Sequence, residues 1–360
     1  MDSHFQTDQP GRPTAAPARV ASDQLLDGDG AAVAARDDRV RIKPRRHGTL
    51  TGAAIVTGVA VVLGIVFSGD DYNLQLAANA LALGLWVMAL DVLVGFAGLV
   101  SFGHVVWLGV GAYASGYLFL QGWDLLTAAV ATIGIVAVLA SVLGWVATRT
   151  GGLAFAIITL AEGIVVYTVI IHLDFLGSGV GLFGVPFPKI AGQTVLDTQQ
   201  SLYFFALAMA VGGYLLLRWV MNAPFGGFTQ AVRDDETRAR SVGISVTRQR
   251  VSAFVVSAVV GAMGGLVFVV VNGGIGPSQI GWDQSGLALV VLIIGGVATL
   301  YGGVVGAFIY VFASSYLATN FATTWQIYLG GLFVILVLVM PGGLAAAVRN
   351  VLRLVKRGAA

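Results

Sequence analysis

The chain has no cysteine, which excludes disulfide bonds, iron–sulfur clusters and thiolate zinc sites. Charged residues are scarce too, at 11% of the sequence against roughly 25% in soluble domains. The sequence also lacks the Gly-x4-Gly-Lys-Ser/Thr pattern of a nucleotide-binding loop, and no His, Asp and Glu group has metal-site spacing. We therefore expect a protein that is not an enzyme by itself and has no catalytic residue, cofactor or metal.

Apolar residues, by contrast, are abundant. They make up 57% of the sequence and form runs near twenty residues long, the length needed to cross about 30 Å of hydrocarbon. The 49 glycines suit close helix–helix approach in lipid. These features predict an all-α fold, a polytopic integral membrane helical bundle with about ten transmembrane helices. The predicted spans are 49–68, 73–93, 104–121, 125–147, 153–172, 202–219, 251–271, 285–300, 303–317 and 325–340.

The distribution of positive charge predicts how these spans are oriented. Residues 1–48 are polar and read as a disordered cytoplasmic tail, residues 49–345 form the membrane domain, and 346–360 form a basic cytoplasmic tail. With the N-terminus inside, every lysine and arginine except Lys189 lies on the cytoplasmic side. We therefore expect both termini in the cytoplasm. Arginines placed beside membrane spans argue against nucleic-acid binding.

One polar segment, residues 221–250, interrupts the apolar runs and carries five arginines and three acids. A segment this polar cannot lie in hydrocarbon, so it stands in water between two spans. We expect an amphipathic helix over Gln230–Val242, with Gly243 at its C-terminal end. Its apolar face would hold Phe228, Ala231, Val232, Ala239 and Val242. The segment is either a docking element or a solvated linker with incidental helicity.

Two acidic residues fall within the predicted spans, where a charge costs about 2.5–3.5 kcal/mol, and are therefore functional candidates. Asp91 either lines a pathway or bonds the backbone amides of the glycine-rich break from Gly95 to Gly103. Glu162 either makes a hydrogen bond between helices or lines a pathway. The candidate translocation-path residues are Asp91, Gly95, Gly98, Ser101, Gly103 and Glu162.

Two further places hold polar candidates. His104 begins a span, with Ser101 as its expected N-cap, and an interfacial histidine at a helix start explains it without a functional role. At the opposite side of the membrane, exposed backbone can contact a ligand or a partner protein, or simply form a flexible loop. Those outer-loop candidates are Gly177, Ser178, Gly179 and Gly181.

Four stretches carry a resemblance to a known family. They are Asp91-Val-Leu-Val-Gly-Phe-Ala-Gly-Leu-Val-Ser-Phe-Gly-His104 with Gly109–Tyr113; Pro224-Phe-Gly226 with Ala231–Glu236 and Ala239–Ile244; Leu292–Ala307; and Pro341-Gly-Gly-Leu344. In this order they frame residues 75–345. Together they resemble the inner-membrane permeases of bacterial branched-chain amino acid ABC transporters, of the LivM type.

The resemblance implies a type II ABC-importer-like permease in the bacterial inner membrane, surrounded by lipid. Its partners would be a second, LivH-like permease, two ABC ATPase subunits and an extracytoplasmic solute-binding protein. Residues 221–250 would be the coupling loop that docks on an ATPase, with Glu236, Ala239 and Gly243 in an EAA-like pattern. The expected coupling residues are Arg233, Asp235, Glu236, Arg238, Ala239 and Gly243.

Several alternatives stay open on the sequence. Close relatives of such permeases carry urea, amides or aromatic acids, so the substrate is either a branched-chain amino acid or one of these. The second, third, fifth and eighth predicted spans are expected to line the path. Two other classes of protein stay open as well. One is a stand-alone secondary transporter or channel for a small polar solute, and the other is a membrane scaffold without transport.

Overall fold

The computed structural model describes residues 69–190, 192–339 and 343–344, together with six helical residues between 57 and 65. The predicted N-terminal tail (1–48), most of the first span (49–68) and the basic C-terminal tail (346–360) lie outside the described residues. The domain boundaries drawn from the sequence at these places stay predictions.

The described part of the chain is mostly helical. A six-residue π-helix, Val92–Ala97, continues the α-helix Asp71–Asp91. Short 3₁₀ turns lie at Asp174–Leu176 and Pro277–Ile280. The α-helices are α1 (Asp71–Asp91), α2 (Val105–Leu120), α3 (Leu125–Ala147), α4 (Gly152–Ile171), α5 (Gln199–Asn222), α6 (Pro224–Asp234), α7 (Glu236–Ser241), α8 (Val246–Asn272), α9 (Trp282–Gly295), α10 (Tyr301–Asn320) and α11 (Trp325–Val339). Two short strands, β1 (Leu182–Phe183) and β2 (Gly274–Ile275), pair antiparallel with Leu182 opposite Ile275.

Six of these helices are long and apolar enough to cross a membrane: α1 with its π-helical extension, α3, α4, α5, α8 and α10. Three further apolar helices, α2, α9 and α11, are shorter. The predicted all-α membrane fold is confirmed. The count of about ten spans remains a prediction, because the first span lies largely outside the described residues.

Helices α1 and α8 form the centre of the bundle. In its most apolar window α1 is 89% buried and α8 72%, whereas α3, α4 and α10 are each 28% buried. The main neighbours of α1 are α10, α8 and α5, and those of α8 are α2, α1 and α3. The less buried helices carry large exposed side chains such as Leu126, Val138 and Leu153, as expected for surfaces that face lipid or another membrane subunit.

Glycines permit the closest helix crossings. A Cβ on Gly303 of α10 would lie 2.8 Å from the backbone nitrogen of Met88 in α1, and a Cβ on Gly265 of α8 would overlap the carbonyl oxygen of Leu108 in α2. Backbones can approach this closely only where the side chain is absent. The abundance of glycine therefore reflects packing around the two central helices.

A buried polar joint fixes the start of α2. Ser257 donates its hydroxyl hydrogen to the carbonyl of Ala89 (2.6 Å), so it accepts a hydrogen bond from Nε2 of His104 at 2.8 Å. Trp86 Nε1 donates to the His104 carbonyl at 3.1 Å. The joint ties α1, α2 and α8 together in the bundle interior, so His104 begins α2 as expected but is fully buried rather than interfacial.

The expected N-cap of this helix was wrong. His104, not Ser101, occupies the N-cap position of α2 and makes no capping bond with its side chain. The free backbone amide of Val105 instead donates to Oγ of Ser285, on α9, at 3.0 Å. A hydroxyl 180 positions away thus does what a local serine was expected to do.

Candidate functional site

The polar loop, which we define as residues 221–250, folds into two short helices rather than one. Pro224 stands at the first position of α6, where a missing N–H costs nothing. The predicted continuous helix over Gln230–Val242 is wrong, because Asp235 is extended (φ −158°, ψ 101°) between α6 and α7. Its carboxylate accepts the Arg238 amide at 2.9 Å, and such a cap competes with continuation of the helix.

A small apolar core holds the polar loop together. Val232, Ala239 and Val246 are buried against one another, with Ile244 packed beside them. Gly243 follows the C-cap of α7 at φ +85°, as the sequence predicted, and allows the chain to turn into α8. Of the expected apolar face, only Val232 and Ala239 are buried.

Glu236 of α7 forms two ion pairs, and one of them attaches α7 to the start of α8. Oε1 of Glu236 accepts from Arg240 and Oε2 from Arg250, both at 2.8 Å. The hydrogen bond from Arg240, together with the nearby charge of Arg250, lowers the pKa of the Glu236 carboxyl from its ordinary value. Gln249 adds hydrogen bonds from Nε2 to Phe225 O (3.0 Å) and Thr229 Oγ1 (2.6 Å). The loop is thus a folded unit with a defined position.

The outward face of the polar loop mixes apolar and charged side chains. Phe228 is 48% exposed and Val242 70% exposed. The side chain of Arg238 is 83% exposed and lies 3.6 Å from the Asp235 carboxylate. Large exposed apolar groups rimmed by charge are typical of a protein-binding surface.

Arg233, an expected coupling residue, points toward the membrane domain instead of outward. Its Nη1 donates to the carbonyl oxygen of Gly95, in the π-helix, at 2.5 Å, and its Nε and Nη2 bond Asp234. The stem passes Gly98, where an added Cβ would lie 2.5 Å from Cγ of Arg233. Gly98 also has φ +70°, which favours glycine. Two path candidates, Gly95 and Gly98, therefore form the surface against which the Arg233 side chain packs.

Asp91 is fully buried and binds backbone amides, but not those expected. Its Oδ1 accepts from Ala298 N (2.6 Å), and its Oδ2 accepts from Leu300 N (2.8 Å) and Thr299 N (3.1 Å). The expectation that Asp91 bonds the Gly95–Gly103 break was wrong. A carboxylate with three amide donors is well satisfied inside a membrane domain.

The remaining path candidates, Ser101, Gly103 and Glu162, lie where the segment before α2 contacts α4. A Cβ on Gly103 would overlap the Thr159 carbonyl, and Phe102 N donates to Thr159 Oγ1 at 3.3 Å. Ser101 is buried in the same extended segment. Glu162 is half-buried near this contact, and its buried Oε1 has no hydrogen-bond partner among the described residues. The expected hydrogen bond between helices is therefore not found for Glu162 in the described part of the chain.

The outer-loop candidates form a tight turn rather than an open chain. Gly177 (φ +83°), Ser178 (φ +49°) and Gly181 (φ +103°) all have left-handed backbones. Ser178 Oγ donates to Asp174 Oδ1 at 2.9 Å, and a Cβ on Gly181 would lie 2.6 Å from the Ile275 carbonyl. Gly179 has no atom within 4 Å of its added Cβ. The turn packs beside the β1–β2 pair, at the end of the bundle opposite the polar loop.

Sequence reasoning thus found most of the residues that line these contacts and missed their partners. No contact was predicted from the sequence for the turn at residues 296–300, for Gln249 or for Arg250. The turn lies within Leu292–Ala307, one of the four stretches that carry the family resemblance. No group of three or more His, Asp or Glu side chains in the described residues could hold a metal ion.

Comparison of the sequence with known proteins places the chain in a family. The model of the family described as "Branched-chain amino acid transport system / permease component" matches residues 72–340. The high-affinity branched-chain amino acid transport system permease protein LivM of Escherichia coli K12 is 28% identical over 301 residues, covering 76% of this chain and 69% of the relative. LivM of Salmonella typhimurium LT2 is 28% identical over 295 residues, covering 74% and 68%.

A more distant relative matches over a shorter region. The autoinducer 2 import system permease protein LsrC of Klebsiella pneumoniae is 33% identical over 158 residues, which cover 42% of this chain and 44% of the relative. No solved structure gives a significant match. Since the family model covers the greater part of the sequence, from the start of α1 to the end of α11, this chain belongs to the family of branched-chain amino acid transport system permease components.

Proposed function

We propose that the chain is the membrane-spanning permease subunit of an ATP-driven importer that carries branched-chain or related amino acids. The observation that carries the proposal is the family match over residues 72–340. ATP would be hydrolysed by partner subunits, because the sequence lacks a nucleotide-binding loop. Alternation between outward- and inward-facing states would follow from that hydrolysis.

The polar loop is the proposed contact for the ATPase. It is folded, tied to α8 by Glu236 and Arg250, and presents exposed apolar and charged side chains at one end of the bundle. Phe228, Val242 and Arg238 are the proposed contacts. Asp235, Glu236, Ala239 and Gly243 are proposed to set the shape of the loop, since they supply its cap, ion pairs, core and turn.

The remaining partners follow from the same proposal. A second homologous permease would complete the path, two ATPase subunits would bind at the cytoplasmic end, and an extracytoplasmic solute-binding protein would deliver substrate. The clustering of lysine and arginine supports cytoplasmic termini in a bacterial inner membrane. The turn holding Gly177, Ser178, Gly179 and Gly181 would then face the binding protein.

The substrate class rests on the relatives. Two of them are named for high-affinity branched-chain amino acid transport, and both align over about three quarters of this chain. The autoinducer 2 relative aligns over less than half of it. Leucine, isoleucine and valine are therefore the first substrates to assay, with urea, amides and aromatic acids next.

Affinity purification in mild detergent, followed by reconstitution into liposomes, tests the proposal. We expect two ATPase subunits and a second permease to purify with the chain. Uptake of labelled leucine should then require ATP on the side of the polar loop. Uptake driven by a proton gradient without ATP, or a chain that transports without companions, would instead identify a stand-alone transporter.

A further inference from the structure

A strained turn connects α9 and α10 at the same end of the bundle as the polar loop. We call residues 296–300 the α9–α10 turn. Ala298 and Leu300 both have φ +60° although neither is glycine. Leu300 (ψ −62°) is the centre of a γ-turn closed by Tyr301 N donating to Thr299 O at 2.8 Å. This kind of γ-turn is rare and strained, so it persists only where its surroundings hold it.

Asp91 is the group that holds the turn. All three of its hydrogen bonds go to consecutive amides of the turn, at Ala298, Thr299 and Leu300. The carboxylate is completely buried, so water does not compete for these amides. A displacement of Asp91, the last residue of α1, therefore displaces the turn as well.

Gly95 joins this cluster to the polar loop. An added Cβ on Gly95 would overlap Asp91 Oδ1 and would lie 2.6 Å from Ala298 N. The carbonyl of the same residue accepts from Nη1 of Arg233, on α6. Gly95 thus touches Asp91, the turn and the polar loop at once. Close-packed contacts of this kind transmit displacement because they leave no free volume to absorb it.

The segment between Asp91 and Gly98 is itself unusual. Val92–Ala97 is a π-helix, a form rare in proteins and frequent at functional sites. Rewinding this π-helix into an α-helix would shift the residues that follow it around the helix axis, so a change of winding is the movement this segment offers. Coupling between distant sites can be carried by an element that changes its arrangement in this way.

We propose that Arg233 and Asp91 are positioning residues that transmit movement of the polar loop to the α9–α10 turn, through the carbonyl of Gly95 and the π-helix. The inference rests on the proposed function, since the movement would be imposed by a bound ATPase. It assigns Arg233 an inward role, distinct from that of the exposed Arg238. The turn that would move connects two apolar helices, so its displacement would reorient α9 and α10.

The first test measures substrate transported per ATP hydrolysed, using the complete complex in liposomes. Arg233→Ala should leave the ATPases bound and hydrolysing but lower transport per ATP by about tenfold or more, the factor a hydrogen bond from a charged donor commonly contributes. Arg233→Lys, which keeps a charged donor, should recover part of the loss. Arg149→Ala removes an equally positive, exposed side chain outside the polar loop and should leave transport per ATP unchanged.

Two results would overturn the inference. One is unchanged transport per ATP in Arg233→Ala. The other is loss of bound ATPase in that variant, which would make Arg233 a docking residue. If the native complex itself showed no ATP-dependent uptake, the proposed function would fail, and that outcome is visible before any variant is made.

A distance measurement avoids dependence on a variant that fails to fold. Because the chain has no cysteine, Ala231→Cys on α6 and Val297→Cys on the turn, both exposed, give a clean spin-label pair. We expect their separation to stay constant between nucleotide states while both shift relative to a label at Trp123→Cys, at the opposite end. A polar loop that moves while the turn stays fixed relative to Trp123 would contradict the inference.

Discussion

Asp91 accepts hydrogen bonds from three backbone amides of a turn that lies 207 to 209 positions further along the chain. A buried carboxylate is costly in a membrane domain, and its desolvation is offset only when donors surround it. At this position the donors are consecutive amides that no other described group satisfies. The side chain thus stabilises the strained turn between α9 and α10.

Replacement of Asp91 by alanine should therefore be strongly destabilising. The change would leave the buried amides of Thr299 and Leu300 and the part-buried amide of Ala298 without acceptors, at a cost of about 3 kcal/mol or more. Asp91→Asn keeps one acceptor oxygen and should cost less. The midpoint of thermal unfolding in detergent measures both.

Asp197→Ala is the matched control for this comparison. Asp197 is exposed and makes no hydrogen bond or ion pair among the described residues, so its loss should change stability by no more than about 0.5 kcal/mol. A midpoint for Asp91→Ala equal to that of Asp197→Ala would mean that the turn does not depend on the carboxylate.

At the scale of elements, glycine decides how closely the helices cross. Gly303 lies where α10 crosses α1, against the backbone of Met88, whereas Gly330 on α11 has nothing within 4 Å of an added Cβ. Gly303→Ala should force the two helices apart and destabilise the bundle by about 1–3 kcal/mol. The equivalent change at Gly330 should be neutral or slightly stabilising, because alanine favours a helix.

Unfolding of the two variants side by side, in the same detergent, measures the difference. Equal midpoints for Gly303→Ala and Gly330→Ala would show that the crossing tolerates a methyl group. The packing account of the glycine content would then be wrong at its tightest described contact between α1 and α10.

The helices themselves were largely readable from the sequence. Apolar runs gave α3 its observed bounds, placed α4 within one residue at either end and placed the end of α8 within one residue, because lipid demands uninterrupted hydrophobic length. The start of α8 was placed five residues too late, because its first turn belongs to the polar loop. The break at Asp235 was missed because the stretch from Gln230 to Val242 was taken as one helix, although aspartate is a favoured N-cap residue and could have indicated a new helix start. The partners of Asp91 were missed because no local pattern encodes a contact across two hundred positions.

For the whole molecule, the family match and the described bundle agree on a transport subunit with many membrane-crossing helices. The polar loop is a folded projection at one end, joined to the interior through Arg233 and to α8 through Glu236. This arrangement suits a part that is pushed by another protein and passes the movement inward. The account therefore depends on the side of the membrane that the polar loop occupies.

Labelling of a single cysteine tests that central claim most directly. Among the described ion pairs of the polar loop, Arg238 has the most exposed side chain. Arg238→Cys therefore places a single accessible thiol in a chain that otherwise has no cysteine. A membrane-impermeant maleimide should not react in intact cells, should react in inverted vesicles, and should react less once the ATPases are bound. Rapid labelling from outside intact cells would contradict the account.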